Sequence, residues 1–207
     1  MMFWVALLGT GLELVAIALF MVIIAETFRR SQKSLLAYDY YIATAFFWFF
    51  AQAVLDLFHL YMTTSASTKT ALLQQVATWQ APLRDLQIHG FALTLILGVS
   101  QRFLHGMFGF PEIPRRRALG ALASLTAAVA GEAFFFVLFR TTGQHLYAGL
   151  MYGSMVVVAL SVVVLTRSWW THLWGPATQA PTEIQSDRAD RSFKFIQAGH
   201  AWLFISL

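Results

Sequence analysis

The apolar and polar positions divide this 207-residue chain into long apolar stretches joined by shorter polar ones. Six apolar stretches can be marked, covering residues 3–25, 38–62, 83–108, 118–139, 146–166 and 193–207. The first five reach the roughly 20 residues that a helix needs to cross about 30 Å of hydrocarbon. The pattern therefore predicts a single all-α domain over residues 1–207, a polytopic transmembrane helical bundle of about six spans.

The polar segments between these stretches predict two longer loops. Residues 63–82 are predicted to form an outer interfacial loop, because Leu72, Leu73, Val76 and Trp79 occur at helical spacing among Thr and Gln. Such spacing is typical of a helix that lies in the headgroup layer. Residues 171–192, which are rich in polar side chains and include prolines, are predicted to form an inner loop.

The last apolar stretch is too short for a complete span. Residues 193–207 would form a helix of about 22 Å at 1.5 Å per residue, which is less than the thickness of the hydrocarbon core. Either this helix ends halfway through the membrane, or the 207 residues are the N-terminal piece of a longer protein. The second interpretation is favoured.

Composition agrees with a membrane protein and narrows its chemistry. Apolar residues make up 58% of the chain, charged residues 12%, and the mean hydropathy is +0.62. Cysteine is absent, which excludes disulfides, thiolate metal sites, iron–sulfur clusters and a cysteine nucleophile. A metal ion or haem would therefore depend on His, Met, carboxylate or Tyr ligands.

The basic residues predict the orientation. If the spans alternate in direction, all of the 14 Lys and Arg residues except Lys69, Arg84 and Arg140 fall on one side of the membrane. The positive-inside rule then places the N-terminus outside. No basic stripe with interleaved aromatic residues occurs, so nucleic acid is not expected as a partner.

Two pairs of ionisable residues lie inside predicted spans, where such groups are costly and usually functional. Asp85 and His89 share one face of the third span, and Asp56 and His59 share one face of the second. A neutral imidazole that ligates a metal usually donates its other N–H group to a carboxylate or carbonyl. The pattern predicts His89 and His59 as ligands of a metal or haem, oriented by Asp85 and Asp56. The alternative is that each histidine lies in the headgroup layer or bridges two helices.

Three further ionisable groups lie within apolar stretches. His200, one turn after Gln197, is a third candidate ligand for a cofactor. Glu132 in the fourth span reaches a depth similar to that of His89, and Glu13 lies within the first span. Each glutamate is predicted to be protonated, paired across helices or facing water, with a proton relay as one possible role.

The third span also carries a distinctive run of residues. The run reads Leu86-Gln87-Ile88-His89-Gly90-Phe91-Ala92, then Ile96-Leu97-Gly98-Val99-Ser100-Gln101-Arg102, and then the turn Gly109-Phe110-Pro111. It resembles the NnrS-like membrane proteins, a family associated with haem and copper and with the response to nitric oxide. More loosely, it is similar to the catalytic subunits of haem-copper oxidases and nitric oxide reductases. The resemblance covers about 30 residues well.

The resemblance implies haem b or copper ligation at His89. NnrS-like proteins have about twice as many spans, which agrees with a chain that stops within its sixth helix. The histidine-rich segments of that family, near its first span and in its later half, do not occur in this chain. The paired histidines of the oxidase copper site are also missing, so the resemblance implies cofactor binding and not a gas-reducing centre.

Three functions remain open from the sequence. The first is a bacterial inner-membrane protein of NnrS-like type that binds haem or copper through His89 with His59 or His200, in respiratory or nitrogen-oxide chemistry. The second is a non-catalytic subunit of a larger respiratory or photosynthetic complex, with the aromatic run 46–50 against a partner or pigment. The expected partners are the lipid bilayer and other membrane protein subunits.

The third function is a transporter, which would require helices that are interrupted near the midplane of the membrane. All five prolines are predicted to lie in loops or at the ends of spans, among them Pro82 at the start of the third. This distribution argues against the transporter.

Overall fold

A computed structural model describes residues 2–31 and 34–173, together with residues 194, 197–199 and 201. It is 91% helical, and its described residues contain no strand, which confirms the all-α prediction. The helices are α1 (Met2–Ser31), α2 (Ala37–Thr64), α3 (Lys69–Asp85), α4 (Thr94–Phe108), α5 (Arg115–Thr142) and α6 (His145–Leu173), with a π-helix at Leu86–Leu93.

Five helical segments are long and apolar enough to cross a membrane, and α3, the π-helix and α4 together form one of them. These five correspond to the first five predicted spans, as expected of a multi-pass membrane protein. Helix α6 continues to Leu173 and so includes the first residues of the predicted inner loop 171–192. The rest of that loop and most of the predicted sixth span, 193–207, lie outside the described residues.

The helix that contains Asp85 and His89 begins earlier than predicted. Residues Lys69–Phe108 form one continuous 40-residue helix, here called the long helix. At 1.5 Å per residue it measures about 60 Å, roughly twice the hydrocarbon thickness. The predicted outer loop 63–82 is therefore helical from Lys69 onwards, as the spacing of its apolar residues indicated, but it runs directly into the third span.

Pro82 lies inside the long helix. The prediction that it lies in a loop or at the end of a span is therefore wrong. Proline has no N–H group to donate to the carbonyl four residues earlier, and its ring crowds that carbonyl. Four residues after Pro82 the chain enters the π-helix Leu86–Leu93, which carries His89. Single π-helical turns inside α-helices frequently mark functional sites.

The bundle core forms where the second to fifth spans meet. Helix α5 packs along α6, α3 packs against α5, and α2 packs against the π-helix and α4. Side chains from these helices form one buried cluster, which includes Tyr41, Leu97, Val129 and Val162. Helix α1 packs against α2 at the edge of the bundle.

The aromatic run of the second span is used mostly inside the bundle. Phe46 contacts the rings of Phe20 and Phe91, and Phe49 stacks on Phe91 with ring centroids 4.5 Å apart. Trp48 is buried, and Phe47 is exposed. Phe46 and Phe49 therefore help to hold the first three spans together, while Phe47 stays on the surface.

Candidate functional site

The position of His89 depends on a close approach between α2 and the long helix. A Cβ atom at Gly90 would lie 2.9 Å from Cγ of Trp48, and one at Gly98 would lie 2.8 Å from Cβ of Tyr41. These distances are shorter than any tolerable contact between carbon atoms, so only glycine allows the two helices to meet here. With Gly90 facing α2, the adjacent His89 is turned toward α5.

The backbone around His89 follows the wider winding of the π-helix. Thr94, which is buried, directs its hydroxyl toward the carbonyl oxygen of His89, five residues earlier, at 3.3 Å. This contact gives the His89 carbonyl a side-chain partner in the part of the helix where regular i to i−4 bonding is replaced.

Glu132 of α5 is the direct partner of His89. A hydrogen bond of 2.9 Å joins Nδ1 of His89 to Oε2 of Glu132. The Glu132 side chain is 1% exposed and that of His89 is 18% exposed. Of the three states that the sequence left open for Glu132, the structure shows pairing across helices. The Nδ1 atom is held by Glu132, and not by Asp85 as the sequence predicted.

Asp85 completes a cluster of three, here called the Asp-His-Glu cluster. One ligand atom from each of Asp85, His89 and Glu132 lies within 4.8 Å of the others. Two ligands about 2.1 Å from one ion are about 3 Å apart in cis and about 4.2 Å apart in trans. The limit of 4.8 Å is slightly above this range, so a small movement of the side chains would let all three ligate one metal ion.

One oxygen of the cluster is left without a partner. Oε1 of Glu132 is buried and accepts no hydrogen bond within the described part of the chain. A buried acceptor without a donor is costly, and such groups usually meet water, an ion or a ligand. The cluster thus offers a free acceptor as well as a suitable spacing of ligands.

The structure does not bring His59 and Asp56 into this cluster. The ring of Phe58 packs on Trp79 at 5.3 Å, so this level of α2 lies beside residue 79 of the long helix. Residue 79 precedes His89 by ten residues, or about 15 Å along the axis. Joint ligation of one ion by His59 and His89 is therefore not supported. His200, the other predicted second ligand, lies outside the described residues.

An open pocket of about 400 Å³ reaches the cluster from one side of the long helix. Gln80, Arg84 and Asp85 supply its polar lining, and Val76 and Ile88 contribute apolar walls. Asp85 belongs to both the pocket and the cluster. The pocket therefore gives solvent and small solutes a route as far as Asp85, one member of the Asp-His-Glu cluster.

Sequence reasoning included His89 and Asp85 among the site residues and left out Glu132. The available signal was that Glu132 lies in an apolar span at the depth of His89, with no neighbour in sequence to neutralise it. That signal indicated a need for a partner. Pairing it with His89 required the relative rotation of α5 and the long helix.

Comparison with known proteins leaves the family open. No model of a protein family matches the chain, and no curated protein or solved structure matches it either. The resemblance to NnrS-like proteins therefore rests on the residues around His89 alone.

Proposed function

We propose that this protein is a multi-pass membrane protein that binds one divalent transition-metal ion at Asp85, His89 and Glu132. The observation that carries the proposal is the Asp-His-Glu cluster, whose ligand atoms come from two packed helices and lie within 4.8 Å of one another. The unpartnered Oε1 of Glu132 supports it, because an ion would satisfy that oxygen.

The donor set favours copper over haem b. One imidazole and two carboxylates suit a bare divalent ion, and among first-row ions Cu²⁺ binds such sites most tightly. Haem would need His89 as an axial ligand beside a flat apolar slot, whereas two carboxylates surround this imidazole. Copper also agrees with what the resemblance to NnrS-like proteins implies.

A copper ion at this site would supply one-electron chemistry, as a role in respiratory or nitrogen-oxide metabolism requires. The residues of the chain have separate tasks in this proposal. His89 would supply the nitrogen ligand, and Glu132 would ligate through Oε1 while its Oε2 holds the His89 ring. Asp85 would supply the ligand that faces the open pocket. The bacterial inner membrane is the location proposed with this function.

A second candidate is a non-catalytic subunit of a larger membrane complex. The exposure of α1 favours this candidate, because only 6% of the residues in its most apolar stretch are buried within the described structure. A partner subunit could cover this surface. This candidate predicts no bound ion. Metal content therefore separates the two functions.

The test is a metal titration of the purified protein in a mild detergent. We expect one Cu²⁺ per chain by elemental analysis, loss of the ion in His89→Ala, and weaker binding in Asp85→Asn, which replaces a charged ligand by a neutral amide. His105→Ala is the matched control, since His105 contacts Phe110 and Glu112 in another part of the bundle. Full metal content in His89→Ala would refute the site.

An absorption spectrum of the same sample distinguishes copper from haem. A haem ligated by histidine gives a sharp band on reduction, and the Asp-His-Glu cluster loaded with copper gives none. A sharp reduced band that disappears in His89→Ala would show that the cofactor is haem and not copper.

The proposed topology can be tested with a single cysteine because the chain has none of its own. With the N-terminus outside, position 31 at the end of α1 lies on the cytoplasmic side. We expect Ser31→Cys to react with a membrane-impermeant thiol reagent only in inverted vesicles. Labelling only from the outside of intact cells would reverse the orientation.

A further inference from the structure

The open pocket beside the Asp-His-Glu cluster has its own chemical character. Arg84 and Gln80 are exposed residues that line it, and neither forms a hydrogen bond or ion pair within the described part of the chain. The guanidinium group carries five N–H donors and the amide carries two. The pocket therefore presents free donors and one permanent positive charge next to a carboxylate of the cluster.

The charge of the pocket changes when the cluster holds an ion. Without a metal, the Asp85 carboxylate lies in the same pocket as Arg84 and opposes the entry of an anion. With a divalent ion bound, its two positive charges offset the carboxylates of Asp85 and Glu132, so the cluster no longer repels an anion. An anion then finds a metal at one end of the pocket and Arg84 on its wall.

From this arrangement we propose that the pocket binds a small anion, held by Arg84 and Gln80, that reaches the metal ion at Asp85. The inference rests on the proposed metal site and names the class of ligand which that site takes. A volume of about 400 Å³ exceeds what an anion of two to four heavy atoms needs, so water accompanies it. The apolar walls at Val76 and Ile88 favour a small, weakly hydrated anion over a large polar one.

This proposal makes anion and metal binding depend on each other. If the metal raises anion affinity by a given factor, the anion must raise metal affinity by the same factor. Binding of the anion to the metal-free protein should be weak, because Asp85 then repels it. This reciprocity distinguishes a ligand that reaches the metal from an anion attracted only to surface charge.

Azide is the probe, because it binds Cu²⁺ and produces a charge-transfer absorption band. We expect saturable azide binding to the copper-loaded protein and only weak binding to the metal-free protein. Arg84→Ala should weaken azide binding roughly 10- to 100-fold, the usual effect of removing a charged hydrogen bond, and should not weaken copper binding measured without azide, because it removes a positive charge that lies beside Asp85. Arg140→Ala is the control, since Arg140 is exposed at the end of α5 and does not line the pocket.

The headgroup phosphate of a lipid carries the same anionic chemistry as a free solute, so the titration needs a second arm. Azide affinity is compared between an uncharged detergent and nanodiscs of phosphatidylglycerol. Equal affinity in both supports a free anion as the ligand. Loss of azide binding in the nanodiscs would assign the pocket to a lipid headgroup and overturn the proposal.

The failures of the two proposals can be told apart. If the protein binds no copper, the proposed function fails and this inference fails with it. If copper binds through His89 but Arg84→Ala binds azide as tightly as the parent protein, only the anion site is wrong.

Discussion

Two glutamates of this chain have similar surroundings in the sequence but opposite surroundings in the structure. Glu13 and Glu132 each lie within a long apolar helix, and neither has a neighbour in sequence that would neutralise it. Glu132 is buried and bonded to His89 of another helix. Glu13 is exposed on α1 and has no hydrogen bond or ion pair within the described residues.

The difference lies in the neighbours of the two helices. Helix α5 packs against α3, the π-helix and α6, so its side chains meet other helices on several faces. Helix α1 packs against α2 and presents most of its apolar surface outward. An isolated carboxyl in a span therefore becomes part of a site only where a second helix supplies its partner.

The largest expected effect comes from removing the paired glutamate. Glu132→Ala should lower the free energy of unfolding by about 3 kcal/mol, because it leaves Nδ1 of His89 unpartnered and opens a cavity in the core. Glu13→Ala should change it by less than about 0.5 kcal/mol, as is usual for exposed positions. Denaturant titration in detergent micelles measures both. An equally large loss for Glu13→Ala would show that Glu13 also has a stabilising partner within the protein.

A smaller effect is expected where α2 approaches the site. Gly90→Ala places a methyl group 2.9 Å from Trp48, and overpacking of this kind costs about 1–3 kcal/mol. Because the shift would also move His89, copper affinity should fall as well. Gly9→Ala in α1 meets no atom within 4 Å and should be neutral or slightly stabilising. Equal stability of the two variants would mean that the close approach of α2 does not position His89.

The smallest expected effect concerns two tyrosines, one buried in the core and one exposed on α6. The hydroxyl of Tyr41, which is fully buried, donates to the carbonyl oxygen of Ala118 at 2.8 Å. Tyr41→Phe leaves that carbonyl without its partner and should cost about 0.5–1.5 kcal/mol. Tyr152→Phe, at an exposed position of α6, is the control and should cost nothing measurable. A larger loss for Tyr152→Phe would place a polar partner on the outer face of α6.

Much of the fold could be predicted from the apolar pattern. Five apolar stretches predicted the helices, because a chain in hydrocarbon must satisfy its backbone polar groups internally. The pattern failed at residues 63–82, where polar side chains hid the continuity of the long helix with the third span. Hydropathy reports where a helix leaves the hydrocarbon, and a helix can extend well beyond that point.

The site was only half predictable. Asp85 and His89 are four residues apart, so helical geometry alone placed them on one face. The same reasoning paired His59 with Asp56 and predicted that His59 and His89 ligate one cofactor. The packing of Phe58 on Trp79 instead places His59 and His89 about 15 Å apart along the long helix. Spacing within one helix says nothing about how far two helices are shifted along each other.

By itself, the sequence determined which segments are helical and apolar, where the basic residues lie, and which ionisable groups need partners. Tertiary structure decided that Glu132 meets His89 and that Glu13 stays exposed, without a hydrogen bond or ion pair among the described residues. The physical reason is that lipid tails are as apolar as leucine, so burial in a membrane does not indicate which helix faces a neighbour. Local shape decides that choice, here the absence of a side chain at Gly90 and Gly98, which lets α2 approach the long helix.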